Sequence, residues 1–134
     1  RKFYNDSKST TPESALMAVR AFETDGLHRI HLIAGGYNKG SSLAEISELA
    51  RSLGGLYTIG VTGPTIAQAA GPRENVYQCE TLERAVDAAM INMKDGDLLL
   101  LSTGCASWDQ FANYERRGEQ FVRLVKERAV GGCR

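Results

Sequence analysis

The chain has 134 residues, a length that fits one domain able to bury a sizeable core. Its 16 lysines and arginines balance 16 acidic residues and no basic block stands out, which argues against nucleic acid as a partner. No apolar run approaches the ~20 residues that cross a bilayer, no signal-peptide pattern opens the chain, and Cys79, Cys105 and Cys133 form neither a disulfide framework nor a zinc pair; a soluble protein of the reducing cytoplasm, with no membrane partner, is expected.

The first element begins at once, with no initiator methionine before it, so the chain is expected to be a piece of something larger. "KFYN" reads as a strand, followed by a loop "NDSKSTT". A helix should start at "TTPES", where Thr11 caps, Pro12 occupies the first turn, and Ala15, Val19 and Phe22 form the apolar stripe until Asp25-Gly26 stops it. A second strand is expected over "LHRIHLI", followed by the glycine-rich "GGYNKG".

That turn invites comparison with a phosphate cradle. The P-loop needs its lysine directly after the last glycine, whereas Lys39 precedes Gly40, and Gly35, Gly36 and Gly40 miss the spacing of the dinucleotide fingerprint. The loop is expected to bind an anion without being either cradle.

Leu43, Ile46, Leu49, Ala50 and Leu53 share one helical face, "LYTIGV" and "NVYQC" read as strands, and Leu82, Ala85, Val86, Ala89, Met90 and Met93 share a second helical face. "DLLLLS" is the fifth strand, followed by "STGCASWDQF" and a last helix from about Asp109 to Glu127. Gly118 within that helix costs about 1 kcal/mol relative to alanine unless close packing demands it. "AVGGCR" reads as a loose end. Alternation of strand and helix predicts an α/β, Rossmann-like fold, with a mainly parallel sheet of five or six strands flanked by helices.

Ligands of such sheets bind outside the carboxyl ends of the strands. The loops after the first, second and last strands supply two lysines, aspartate and several hydroxyls there, an anion-binding set. Lys8 and Lys39 can each meet a carboxylate or phosphate, with the hydroxyls of Ser7, Thr10 and Ser107 sharing it. The plainer readings are solvated surface lysines, Thr10 and Thr11 as helix caps, Ser107 as a cap, Asp109 as the cap or first-turn acid of the last helix, and Asp6 as a turn former. Cys105 with His28 or His31 as base would be a nucleophile, but both histidines fall within the second predicted strand rather than at its end, which favours packing roles for all three.

"NDSKSTTPES", "LIAGGYNKG" and "LLLLSTGCASWDQFANYERRGEQFVRLV", in that order over nearly the whole chain, resemble the C-terminal domain of the Mur ligases. Within the family the pattern is that of the ligases adding D-glutamate. The D-N-P-R motif of the ligases adding diaminopimelate or lysine, and the D-G-A-H-N-P motif of the folylpolyglutamate synthases, are absent.

The resemblance implies a three-domain enzyme of peptidoglycan precursor synthesis in which residues 1–128 form the amino-acid-binding domain, 129–134 a flexible tail, and the nucleotide-holding N-terminal and ATP-binding central domains lie outside this chain. In the family, ATP phosphorylates the carboxylate of UDP-N-acetylmuramoyl-L-alanine and the D-glutamate amine attacks the acyl phosphate. ATP and Mg2+ would be held mainly by the central domain, so no catalytic residue and no metal ligand is expected here, and the isolated chain should be inactive. By resemblance Lys39 and Thr10 hold the α-carboxylate of D-glutamate with Lys8 nearby, Ser107 and the backbone around Tyr114 hold its side-chain carboxylate, and Asp6 contacts the ATP ribose. Two positions depart from the family pattern: Tyr114 stands for a phenylalanine, and Trp108 for an aliphatic residue beside the serine, where it either reshapes the glutamate pocket or only packs. The alternatives are a non-catalytic nucleotide or anion-binding module on the same fold, and the same domain of another Mur-family ligase.

Overall fold

The computed structural model describes residues 1–132, with side chains through Ala129. Five strands, β1 (Lys2–Asn5), β2 (Ile30–Gly35), β3 (Gly55–Ile59), β4 (Val76–Glu80) and β5 (Leu98–Leu101), form one sheet in the order β1-β5-β2-β3-β4. Every pairing is parallel. The helices are α1 (Pro12–Ala21), α2 (Ala44–Glu48), α3 (Gly63–Ala70), α4 (Leu82–Asn92) and α5 (Tyr114–Gly132). The expected α/β, Rossmann-like architecture is the one found.

The order of the strands decides the layers. The connections from β1 to β2, β3 and β4 all run one way across the sheet and the return from β4 to β5 runs the other, so right-handed crossovers put their helices on opposite faces. One apolar layer accordingly joins Val19, Ile46 and Ile66 of α1, α2 and α3 to Ile30, Leu32, Leu56, Leu98 and Leu100. The other joins Leu82, Val86, Phe121 and Leu124 of α4 and α5 to Ile33, Tyr57, Leu99 and Leu101. Strands buried on both faces must be apolar throughout, which is why β5 reads Leu-Leu-Leu-Leu. Each such side chain contributes about 1.5–3 kcal/mol by leaving water.

Local signals set most boundaries. Thr11 and Ser14 form a reciprocal capping box at α1, with Pro12 in the first turn. Several boundaries and one whole element differ from what the sequence predicts. Leu27–Arg29 form a 3-10 turn, so β2 starts at Ile30 and His28 lies outside it. Helix α3 is an element the periodicity misses, although Pro64 near its start and Gly71 past its end mark both termini. Helix α5 begins at Tyr114, not Asp109, where Asn113 Oδ1 accepts from Arg116 N at 2.9 Å. It continues through 129–132, where a loose end was expected; Cys133 and Arg134 lie outside the described residues.

Gly118 is a case of close packing. A Cβ there would stand 2.7 Å from Asn5 Nδ2 and 2.9 Å from its Oδ1, so the glycine lets α5 approach the end of β1.

Candidate functional site

The chain reverses direction across the sheet between β5 and β2, so the loops after these strands leave toward opposite faces and open a crevice between them. The loop after β1 flanks it on the other side of β5. All three polar loops picked out in the sequence therefore meet at one edge of the molecule.

The first loop is tied down by its own polar groups. Asp6 N donates to Leu101 O at 2.8 Å, and Asp6 Oδ2 accepts the hydroxyls of Ser9 and, at 2.9 Å, Ser102. Both hydroxyls fall on one oxygen, and Asp6 Oδ1 has no partner among the described residues. Ser7 is buried, donating to the Tyr114 carbonyl at 2.7 Å and accepting from Arg117 Nε at 2.8 Å, so its hydroxyl is not available to an anion. Lys8, between the buried Ser7 and Ser9, is exposed. It lines a cleft of about 320 Å³ with Asn5, Ser7, Tyr114, Glu115 and Glu119. Thr11, not Thr10, caps α1, and the half-buried Thr10 hydroxyl has no partner among the described residues.

In the second loop Gly35 and Gly36 carry φ of 117° and 144°, and a Cβ on Gly36 would stand 2.5 Å from Ala106 O. That close approach lets Tyr37 and Ala106 exchange backbone hydrogen bonds at 2.8 and 2.9 Å, welding the β2 and β5 loops. Asn38 Oδ1 accepts from Gly40 N at 3.1 Å and Ser41 N at 3.0 Å, so an Asx turn shapes the segment carrying Lys39. The Lys39 ammonium lies over the Trp108 ring, 4.8 Å from its centroid, and Tyr37 packs on that ring with centroids 5.5 Å apart.

In the third loop the Ser107 carbonyl, rather than its hydroxyl, starts the turn, accepting from Gln110 N at 3.2 Å and Phe111 N at 2.8 Å. Ser107 is 2% exposed and its hydroxyl has no partner among the described residues. Asp109 is not the cap of α5; its Oδ2 accepts from Val61 N at 2.9 Å. Trp108 and Tyr114 are exposed, and the Tyr114 carbonyl is engaged by Ser7, leaving its amide at the start of α5 for a ligand.

The structure thus brings Lys39 to Trp108, beside Ser107, and Lys8 to Tyr114. The nucleophile reading of Cys105 finds no support. Its Sγ is 3.6 Å from Thr62 Oγ1 and burial pushes its thiol up, while His31 sits buried between Tyr57 and Asp97, and His28 is in the turn before β2.

Arg117 escapes the sequence reading. It is 1% exposed and donates to Ser7 and to the Cys105 carbonyl; burial pushes its guanidinium down to about 10, so it remains a cation at neutral pH. A signal for it exists: Arg117 falls on the same helical stripe as Phe121 and Leu124, where a charge is out of place unless it is engaged.

Residues 1–105 match the family described as Mur ligase, glutamate ligase domain. The chain is 42% identical over 134 residues to the UDP-N-acetylmuramoylalanine--D-glutamate ligase of Thermoanaerobacter sp. (strain X514), covering 94% of this chain and 28% of that protein. It is 42% identical over 126 residues to the ligase of the same name from Myxococcus xanthus (strain DK1622), and 38% over 127 residues to that of Bacillus cereus (strain B4264), in both cases covering 93% of this chain and 27% of the relative. The chain therefore spans little more than a quarter of the length of these relatives. A parallel sheet with three polar loops at one edge and a family match over most of its length place it: the chain belongs to the Mur ligase family, and the matched residues are its glutamate ligase domain.

Proposed function

We propose that this chain is the amino-acid-binding domain of an ATP-dependent ligase that joins D-glutamate to UDP-N-acetylmuramoyl-L-alanine in the cytoplasmic synthesis of peptidoglycan precursors. The reaction passes through an acyl phosphate on the alanine carboxylate, which the D-glutamate amine attacks. The names of the relatives support the substrates. The observation that carries the reading is the placement of Lys39 against Trp108, the neighbour of Ser107, whose hydroxyl has no partner among the described residues. A dicarboxylate needs two anion sites, and this crevice offers an ammonium on one loop and a hydroxyl on the next.

Lys39 and Thr10 hold the α-carboxylate, with Lys8 on the same loop as Thr10 and lining the cleft it shares with Tyr114. Ser107 and the Tyr114 amide hold the side-chain carboxylate, and the Trp108 ring walls the pocket. These groups bind and orient the amine nucleophile, and such positioning can supply several kcal/mol of a barrier without any residue here moving a proton. Asp6 Oδ1, without a partner among the described residues, suits a ribose hydroxyl of ATP. Among the described residues no group of three acidic, histidine or cysteine side chains is placed to hold a metal ion. Mg2+ and the γ-phosphate of ATP are assigned to the rest of the ligase, and the isolated chain is expected to release no phosphate.

An amide chemical-shift titration of the chain with D-glutamate and, separately, L-glutamate tests the site. Shifts at Thr10, Lys39 and Ser107 that favour the D form are expected. Equal responses to both enantiomers would point instead to a generic anion-binding module.

A further inference from the structure

Arg117 is a buried cation with no carboxylate within ion-pair distance among the described residues. Its Nε donates to Ser7 Oγ at 2.8 Å, its Nη2 to Ser7 O at 2.7 Å and its Nη1 to Cys105 O at 3.0 Å. The same Nη1 lies 3.4 Å from where a Cβ on Gly36 would stand. Ser7 adjoins Lys8, Cys105 stands shortly before Ser107, and Gly36 shortly before Lys39. One planar group therefore bonds the bases of two loops and lies close to the base of the third.

Burying a guanidinium is costly, and a hydrophobic residue would fill the space more cheaply if packing were its only task. What the arginine adds is a rigid fork whose donors diverge at fixed angles. A lysine, with a single point charge on a flexible stem, cannot reproduce that geometry. The fork registers the β1 loop against the β5 loop, close to Gly36 at the base of the β2 loop, where an added Cβ would stand 3.4 Å from Nη1.

We propose that Arg117 is a positioning residue that sets the spacing between the two carboxylate subsites, Lys39 with Thr10 on one side and Ser107 on the other, and so selects the length of the dicarboxylate. The proposal rests on the D-glutamate reading above. Arg117 needs no contact with the ligand; it acts through Ser7 and Cys105. A displacement of about 1 Å in such a site costs up to about 100-fold in rate, ample for discrimination between homologues one methylene apart.

The test uses the ligase carrying this domain, with UDP-N-acetylmuramoyl-L-alanine, ATP and either D-glutamate or D-aspartate, followed by phosphate release. Arg117→Lys keeps the charge and removes the fork. The KM for D-glutamate is expected to rise roughly tenfold while that for ATP moves less than about twofold, and the kcat/KM preference for D-glutamate over D-aspartate to fall at least about fivefold. A general loss of structure would weaken both amino acids in proportion; an unchanged preference overturns the proposal. Should Arg117→Lys fail to fold, Ser7→Ala decides, because it removes one partner of the fork and retains the arginine. A preference lowered in the same direction supports the proposal, and one equal to that of the parent overturns it. A parent ligase inactive with D-glutamate would overturn the proposed function and this proposal with it, a result distinct from an active parent whose variants keep its preference.

Discussion

The Lys39 ammonium stands 4.8 Å from the centre of the Trp108 ring, joining the loop after β2 to the loop after β5 through side chains as well as backbone. The ring is 62% exposed, so its attraction for the cation is that of a surface pair, about 0.5–1 kcal/mol. Trp108→Ala in the ligase is expected to raise the KM for D-glutamate about two- to fivefold by releasing the lysine. Lys39→Ala removes the charge itself and should raise it more, roughly tenfold or beyond, with little change for ATP. Steady-state kinetics with each substrate varied in turn decides; equal effects on both substrates would remove Lys39 from the amino-acid site.

Gly118 and Asn5 form a second coupled pair. Alanine at 118 gains about 1 kcal/mol of helix propensity. Its Cβ, however, must displace the Asn5 amide, which accepts from Ser7 N at 3.2 Å beside Lys8. Gly118→Ala alone is expected to yield no net stabilisation, whereas in an Asn5→Ala background the gain should appear in full. Urea unfolding of the four proteins measures the coupling, expected to exceed about 0.5 kcal/mol. An additive cycle would show that the contact carries no strain.

Asp97 predicts a pH dependence of stability. Its Oδ2 accepts from His31 Nε2 at 2.9 Å and from Lys94 N at 3.0 Å. Burial pushes the carboxyl up, but the Lys94 amide and His31 outweigh it and hold the group below the usual carboxylate range. A folded-state pKa below the unfolded one, about 3.9, contributes stability that is present above that value and is lost as pH falls through the folded pKa. Asp97→Asn is therefore expected to cost about 1–3 kcal/mol at neutral pH, with the gap to the parent closing below about pH 4. Urea midpoints across pH 7 to 2 test this; a gap constant over that range would show that the charge contributes nothing.

Local and periodic signals carried the fold. The Thr11-Pro12 cap, the apolar stripe of α4 and the leucine run of β5 are each decided by neighbours in sequence, and each is found where it reads. The misreadings share another cause. Asp109 looks like a helix cap, but the amide it satisfies is that of Val61, 48 positions away. Helix α3 has too few large apolar residues to show a period, and its burial follows from lying between α2 and β4. Ser7 reads as a free hydroxyl until Arg117, 110 positions on, takes it. Lys8, Thr10, Lys39 and Ser107 are proposed as site residues from their polar loops at strand ends, whereas the buried cation Arg117 is defined only by tertiary contacts.

The placement of β1 has a consequence for how the molecule comes into being. In the sheet it pairs with β5 alone, and the bonds closing the loop behind it reach from Asp6 to Ser102, 96 positions apart, and from Ser7 to Arg117, 110 apart. Contacts of such separation carry the largest loop-closure entropy, and they are expected to form after the β2, β3 and β4 region has collapsed on its nearer partners. By contact order the crevice is thus expected to be among the last features to assemble.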